Sequence, residues 1–102
     1  MMANFVKAAN LADLTPGTRV EVEVEGKTLA LCNIGGTVYA LDNTCLHAGG
    51  PIGQGELKSD TVVCPWHGWE YNVKTGECLT RSDVKIATYP VQIENGAIKV
   101  EV

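Results

Sequence analysis

The chain has 102 residues, 45% of them hydrophobic, with 8 Lys and Arg against 12 Asp and Glu, a net charge of −4. This length corresponds to one domain, and the apolar fraction supports a core without a disulfide scaffold. The acidic balance argues against nucleic acid or an anionic membrane as a partner, because both require a basic face. No apolar run approaches the roughly 20 residues of a membrane span and no signal peptide opens the chain, so a cytoplasmic protein is expected.

Alternating patterns predict strands along most of the chain. Residues 20–25 alternate valine with glutamate, which is typical of a strand with one buried and one solvated face. The glutamate row is expected to face solvent, or alternatively to attract a basic partner. Further strands are predicted around 29–34, 38–41, 69–73, 91–93 and 98–100, and a short helical turn around 8–14.

Tight turns are predicted between these strands. Two-residue turns are expected at Glu25-Gly26, Gly35-Gly36 and Asn95-Gly96, and a further hairpin turn at 74–76. The sequence therefore predicts an all-β fold built from antiparallel hairpins.

Two irregular loops contain both histidines of the chain. Residues 45–57 hold four of the eleven glycines and include Cys45-x-His47, and residues 64–68 include Cys64-x-x-His67. The plain alternative is that these are core thiols and surface histidines. Because both histidines fall in cysteine-containing loops, we favour a metal site, and two thiols with two imidazoles suit either zinc or an iron–sulfur cluster.

The two boxes resemble those of a known family. Cys45-Leu46-His47 and the run Cys64-Pro65-Trp66-His67-Gly68-Trp69 are similar to the cluster-binding boxes of Rieske [2Fe–2S] proteins, and 38–41, 75–76 and 89–91 also look like the family. The nearest resemblance is to soluble Rieske ferredoxins of ring-hydroxylating dioxygenase systems. It implies the Rieske (ISP-like) fold of stacked antiparallel sheets. Residues 1–102 would form a single domain, with a cluster-binding subdomain of two hairpin loops at about 43–80.

The resemblance also implies a ligand set for one cluster per chain. Cys45 and Cys64 would bind the inner iron through thiolates, and His47 and His67 the outer iron through ring nitrogens. Further residues are expected to tune the cluster or to form a docking rim: Gly49, Pro51, Trp66, Gly68, Trp69 and Tyr71.

Departures from the family pattern predict a low reduction potential. High-potential members carry a disulfide at the positions of Gly50 and Trp66, and a serine at that of Trp69. Without these features the potential should lie near the low end of the Rieske range, roughly −150 mV. Tyr71 points the other way, because high-potential members have a tyrosine there that donates to a ligand cysteine.

The implied function is one-electron transfer, with no catalytic residue in the chain. A flavin-dependent reductase would supply the electron, a terminal oxygenase would accept it, and the carrier would be a monomer. A Rieske oxygenase is excluded because its mononuclear iron needs two more histidines than the chain contains. A small Rieske-fold subunit of a nitrite reductase and a structural zinc domain remain alternatives.

The other two cysteines are expected to be thiols outside the site. Cys32 lies in a predicted strand and Cys78 follows a predicted turn. A Cys32–Cys78 disulfide is the alternative, which a reducing compartment disfavours.

Overall fold

This computed structural model describes residues 4–46, 49–66, 68–81 and 83–102. Its strands are β1 Phe5–Asn10, β2 Arg19–Val24, β3 Lys27–Ile34, β4 Thr37–Asp42, β5 Glu56–Lys58, β6 Thr61–Val63, β7 Glu70–Asn72, β8 Thr88–Tyr89, β9 Val91–Glu94 and β10 Ala97–Glu101. Two short 3-10 helices span Leu11–Asp13 and Ile52–Gln54. No helix in these residues is both long and apolar enough to cross a membrane.

The strands form three antiparallel sheets, which confirms the predicted fold class. The sheet orders are β1-β10-β9, β2-β3-β4-β8 and β5-β6-β7. The second, which we call the central sheet, lies between two hydrophobic cores.

Each face of the central sheet contributes to a different core. In β3, Leu29 and Leu31 pack in a core with Ile98 of β10. Ala30 and Cys32 point the other way, into a core with residues of β6 and β7. We call these the base core and the site core. Because side chains alternate across a strand, one sheet supplies both cores.

The predicted two-residue turns are confirmed, and their backbone explains their composition. Glu25 and Gly26 have φ of 52° and 80°, and Asn95 and Gly96 have φ of 50° and 78°. Positive φ at both central residues matches the right-handed twist of the flanking strands. These turns fix the pairings Val24 with Lys27 and Glu94 with Ala97.

Two local predictions need correction. The expected helical turn at 8–14 is only the three-residue helix Leu11–Asp13, because β1 pairs with β10 as far as Asn10. Glu21 does not simply face solvent: it is half-buried, and its carboxylate accepts hydrogen bonds from Asn43 and Gln54. Glu23 and Glu25 are exposed, as predicted.

Cys32 and Cys78 are both buried thiols of the site core. Both cysteines lie among the described residues, and the alternative disulfide between them is not formed. The pKa of Cys32 is raised to about 12. Burial causes the rise, and the positive charge of the nearby Arg19 offsets only part of it. The reactive thiolate is therefore scarce at neutral pH.

We predict that Cys32 resists alkylation in the folded protein. At pH 8 a thiol with a pKa of about 12 is about one part in ten thousand thiolate, and this one is also shielded from solvent. Peptide mapping after iodoacetamide treatment should find Cys32 unmodified in folded protein and modified after denaturation. Equal labelling in the two states would contradict the burial described here.

Candidate metal centre

The two predicted ligand loops lie at neighbouring strand ends. The first follows β4 and ends at the 3-10 helix Ile52–Gln54, and an isolated bridge between Thr44 and Pro51 closes its base. The second connects β6 to β7, which form an antiparallel pair. Pro51, which is expected to tune the cluster or to belong to a docking rim, is half-buried and immediately precedes that short helix.

The backbones of the two loops close in the same way. In the first, the Cys45 amide donates to the Gly50 carbonyl at 2.9 Å, and the Gly49 amide donates to the Cys45 carbonyl at 2.8 Å. In the second, the Cys64 amide donates to the Trp69 carbonyl at 2.7 Å, and the Gly68 amide donates to the Cys64 carbonyl at 3.0 Å. Each cysteine is therefore held by its own backbone at the start of a tight loop.

The glycine four residues after each cysteine is required by backbone conformation. Gly49 and Gly68 both have φ of 77°, in the left-handed region that a side chain disfavours. A β-carbon on either would meet nothing within 4 Å, so the backbone angle alone selects glycine.

The two loops contact each other through Gly50. A β-carbon at this position would lie 2.7 Å from Cys64 Sγ and 3.0 Å from Trp66 Cγ. A side chain here would force one of them to shift, since real β-carbons almost never approach so closely. The first loop thus presents bare backbone to the second cysteine and to the neighbouring indole.

Both predicted cysteine ligands are buried in one hydrophobic environment. Cys45 and Cys64 are each 2% exposed and belong to the site core. His47 and His67 lie outside the described residues, so their predicted role is untested. Among the described residues, no group of three or more His, Cys, Asp or Glu side chains comes together as a metal site. Two cysteines that two equivalent loops bring into the same core nevertheless fit half of the predicted donor set.

Tyr71 joins the first loop to the interior. Its hydroxyl lies 3.3 Å from Cys45 Sγ, and it accepts a hydrogen bond from the Leu46 amide at 3.1 Å. Burial, followed by the hydrogen bond to Cys45, raises the pKa of Tyr71, so the hydroxyl keeps its proton at neutral pH. With the Leu46 amide as its donor, the hydroxyl can direct that proton to the cysteine sulfur.

Exposed apolar side chains lie on both loops, and we call them the rim. Leu46 is 53% exposed and Trp66 57%, although each lies within two residues of a buried cysteine. Trp69 is half-buried, with the Arg81 guanidinium 6.0 Å from its ring.

Sequence reasoning missed Leu79 as a rim residue. Leu79 is 57% exposed, and its amide donates to the Glu70 carbonyl, which brings its segment beside the second loop. The sequence around Leu79 does not predict this placement, because it depends on the pairing of the Leu79 segment with β7.

We predict that Gly68→Ala weakens the second loop. At a φ of 77° a β-carbon costs about 1–2 kcal/mol, so the melting temperature and the iron retained per chain should both fall. Gly96→Ala is the matched control, because Gly96 has a φ of 78°, equally open surroundings and a place in a remote hairpin. Gly96→Ala should lower the melting temperature by about as much as Gly68→Ala but leave the iron content unchanged. Equal iron content in both variants would contradict this assignment.

Known proteins are similar to this chain in sequence and in architecture. A model of the Rieske [2Fe-2S] domain matches residues 4–90. The ferredoxin component of the naphthalene 1,2-dioxygenase/salicylate 5-hydroxylase systems of Ralstonia sp. is 41% identical over 96 residues, covering 93% of this chain and 92% of the relative.

Two solved structures that are similar to this chain are also named as a ferredoxin or as a complex that contains one. Sphingomonas yanoikuyae B1 ferredoxin is 29% identical, with a TM-score of 0.88 over 97% of this chain and 99% of that one. A chain of the complex of reduced oxygenase and oxidized ferredoxin in carbazole 1,9a-dioxygenase is 30% identical, with a TM-score of 0.88 over 95% of this chain and 92% of that one.

These comparisons confirm the predicted family and fold. They also agree with an electron-transfer component rather than an enzyme, since the curated relatives are named as ferredoxin components or subunits of dioxygenase systems. The chain belongs to the Rieske [2Fe–2S] domain family.

Proposed function

We propose that this protein carries single electrons from a flavin-dependent reductase to the terminal oxygenase of a ring-hydroxylating dioxygenase system. The observation that carries the proposal is the pair of equivalent loops, each of which brings one buried cysteine into the site core beneath an exposed apolar rim. The site would hold one [2Fe–2S] cluster per chain. Residues 1–102 would act as one domain, with the cluster-binding part at about 43–80.

The proposed ligands are the Cys45 and Cys64 thiolates and the His47 and His67 ring nitrogens. A bound cluster would supply reversible one-electron chemistry. The buried positions of the two cysteines exclude water from their sulfur atoms. With Cys45 as a thiolate ligand, the Tyr71 hydroxyl 3.3 Å from its Sγ would donate to that sulfur and stabilise its negative charge.

The rim provides the contact surface for both partners. Leu46 and Trp66 expose apolar surface directly beside the ligand loops, where docking would bring a partner's redox group close to the cluster. Because the same surface must meet the reductase and the oxygenase in turn, we propose a monomer. We also propose a cytoplasmic location, because a reducing compartment suits Cys32 and Cys78, which are buried and do not form a disulfide with each other.

The alternatives receive less support. A small subunit of a nitrite reductase would share the fold, but the Ralstonia relative given above is named as the ferredoxin component of naphthalene 1,2-dioxygenase/salicylate 5-hydroxylase systems. A structural zinc domain would use the same four ligands without electron transfer, and the metal content of the purified protein distinguishes it.

We predict that Tyr71→Phe lowers the midpoint potential by about 20–60 mV, the equivalent of one hydrogen bond to a ligand sulfur. The reduced cluster carries more negative charge than the oxidised one, so it loses more stabilisation when the hydrogen-bond donor is removed. Reduction therefore becomes less favourable. Protein-film voltammetry measures the shift, and Tyr39→Phe, at a partly buried tyrosine of β4, is the control. An unchanged potential in Tyr71→Phe would contradict the role of this hydroxyl.

We predict that Leu46→Ala slows electron transfer to the oxygenase about fivefold to tenfold, the effect of losing one well-packed apolar contact at an interface. Its midpoint potential should stay the same, because the hydrogen bond to Tyr71 uses the Leu46 backbone. Stopped-flow mixing of reduced protein with oxidised oxygenase gives the rate.

Ile93→Ala is the control for this measurement. Ile93 is 43% exposed but lies on β9, which belongs to a different sheet from the strands next to the two loops. Its substitution should leave the rate unchanged. Equal slowing by both substitutions would argue against the rim as the docking surface.

A further inference from the structure

The polar face of β2 is attached to the first ligand loop. Val20, Val22 and Val24 point into the base core, so Arg19 and Glu21 point to the opposite side of the central sheet. There, Arg19 Nε donates to the Gly55 carbonyl at 2.6 Å, and its guanidinium also reaches the Gln54 carbonyl at 3.3 Å. Arg19 therefore holds the backbone that follows the first loop.

Glu21 holds the side chains on both sides of that loop. Its carboxylate accepts a hydrogen bond from Asn43 Nδ2 at 2.6 Å and another from Gln54 Nε2 at 2.8 Å. The hydrogen bonds from Gln54 and Asn43 lower the pKa of Glu21, which keeps the carboxylate ionised as an acceptor. One carboxylate thus bridges a residue before Cys45 and a residue after Pro51.

Asn43 closes the base of the loop. Its backbone carbonyl accepts from the Ile52 amide at 2.8 Å, and its side-chain oxygen accepts from the Gly53 amide at 2.7 Å. The fit is tight, because a β-carbon on Gly53 would lie 2.5 Å from Glu21 Cγ and 2.8 Å from Asn43 Oδ1. With Asn43 Nδ2 bound to Glu21, the amide group is oriented to present its oxygen to Gly53.

We propose that Glu21 is a positioning residue for the cluster, which orients Asn43 and thereby fixes Cys45 and its loop against the second loop. The path is short, since Asn43 is two residues from Cys45 and Gly50 of the same loop lies against Cys64 Sγ. The redox part of this inference rests on the proposed function, because it takes Cys45 as a ligand. The hydrogen-bond part concerns the folded chain alone.

Three variants of the full-length protein test the proposal. Glu21→Ala removes both acceptors. Glu23→Ala makes the same charge change two residues along the same strand face, at an exposed position, and controls for through-space charge. The double variant Glu21→Gln with Gln54→Glu exchanges acceptor and donor, so that the new Gln oxygen can still accept from Asn43 while its amide donates to residue 54.

Two readouts separate orientation of the loop from general loss of stability. Amide hydrogen exchange at Gly53 reports the bond to Asn43. Gly36 provides an internal control, because its amide donates to the Asn33 side-chain oxygen at 2.8 Å in a distant hairpin. The midpoint potential, together with the electron paramagnetic resonance g-values, reports the environment of the cluster.

Glu21→Ala should raise exchange at Gly53 about tenfold, the effect of one lost net hydrogen bond, without changing Gly36. It should also shift the midpoint potential beyond any shift in Glu23→Ala. The double variant should restore both readouts toward wild type. Exchange at Gly53 within twofold of wild type would overturn the proposal, as would faster exchange with an unshifted potential or a double variant no better than Glu21→Ala. A wild-type protein without a Rieske signal would instead overturn the proposed function.

Discussion

Burial of both faces of the central sheet is the constraint on which the site depends. In β3, Leu29 and Leu31 serve the base core, while Ala30 and Cys32 serve the site core. A slip of one residue would exchange these two sets and place each in the wrong core. The tight turns on either side of β3 exclude that slip. Because the first ligand loop begins directly after β4, the register of this sheet also sets the position of Cys45.

Features encoded by neighbouring residues were predictable, and features encoded by distant contacts were not. The turns at Glu25-Gly26 and Asn95-Gly96 need only local backbone chemistry, and the two Cys/His boxes are contiguous. Strands β5 and β6 have three residues each, too few for a periodic pattern, and pair across Ser59 at a positive φ. The partners of Glu21 lie 22 and 33 positions away, so its glutamate pattern alone predicted only a solvated face.

The site changes from dry to exposed within one or two residues. Cys45 is 2% exposed and the next residue, Leu46, is 53% exposed, with a similar change from Cys64 to Trp66. This arrangement suits a carrier, which must shield sulfur from water and yet bring its redox centre close to a partner. The Leu46 backbone links the two regions, since its amide binds the buried Tyr71 hydroxyl while its side chain lies in the rim. Side chains on the polar face of β2 hold the two ends of the first ligand loop through hydrogen bonds.

Electron paramagnetic resonance of the anaerobically purified, dithionite-reduced protein tests the central claim most directly. Ligation by two thiolates and two imidazoles predicts a rhombic signal, with a mean g below that of an all-cysteine two-iron cluster and one spin per chain. Iron and sulfide should be present in matching amounts. A silent spectrum together with one zinc ion per chain would contradict the account, because the same loops would then serve only to stabilise the fold.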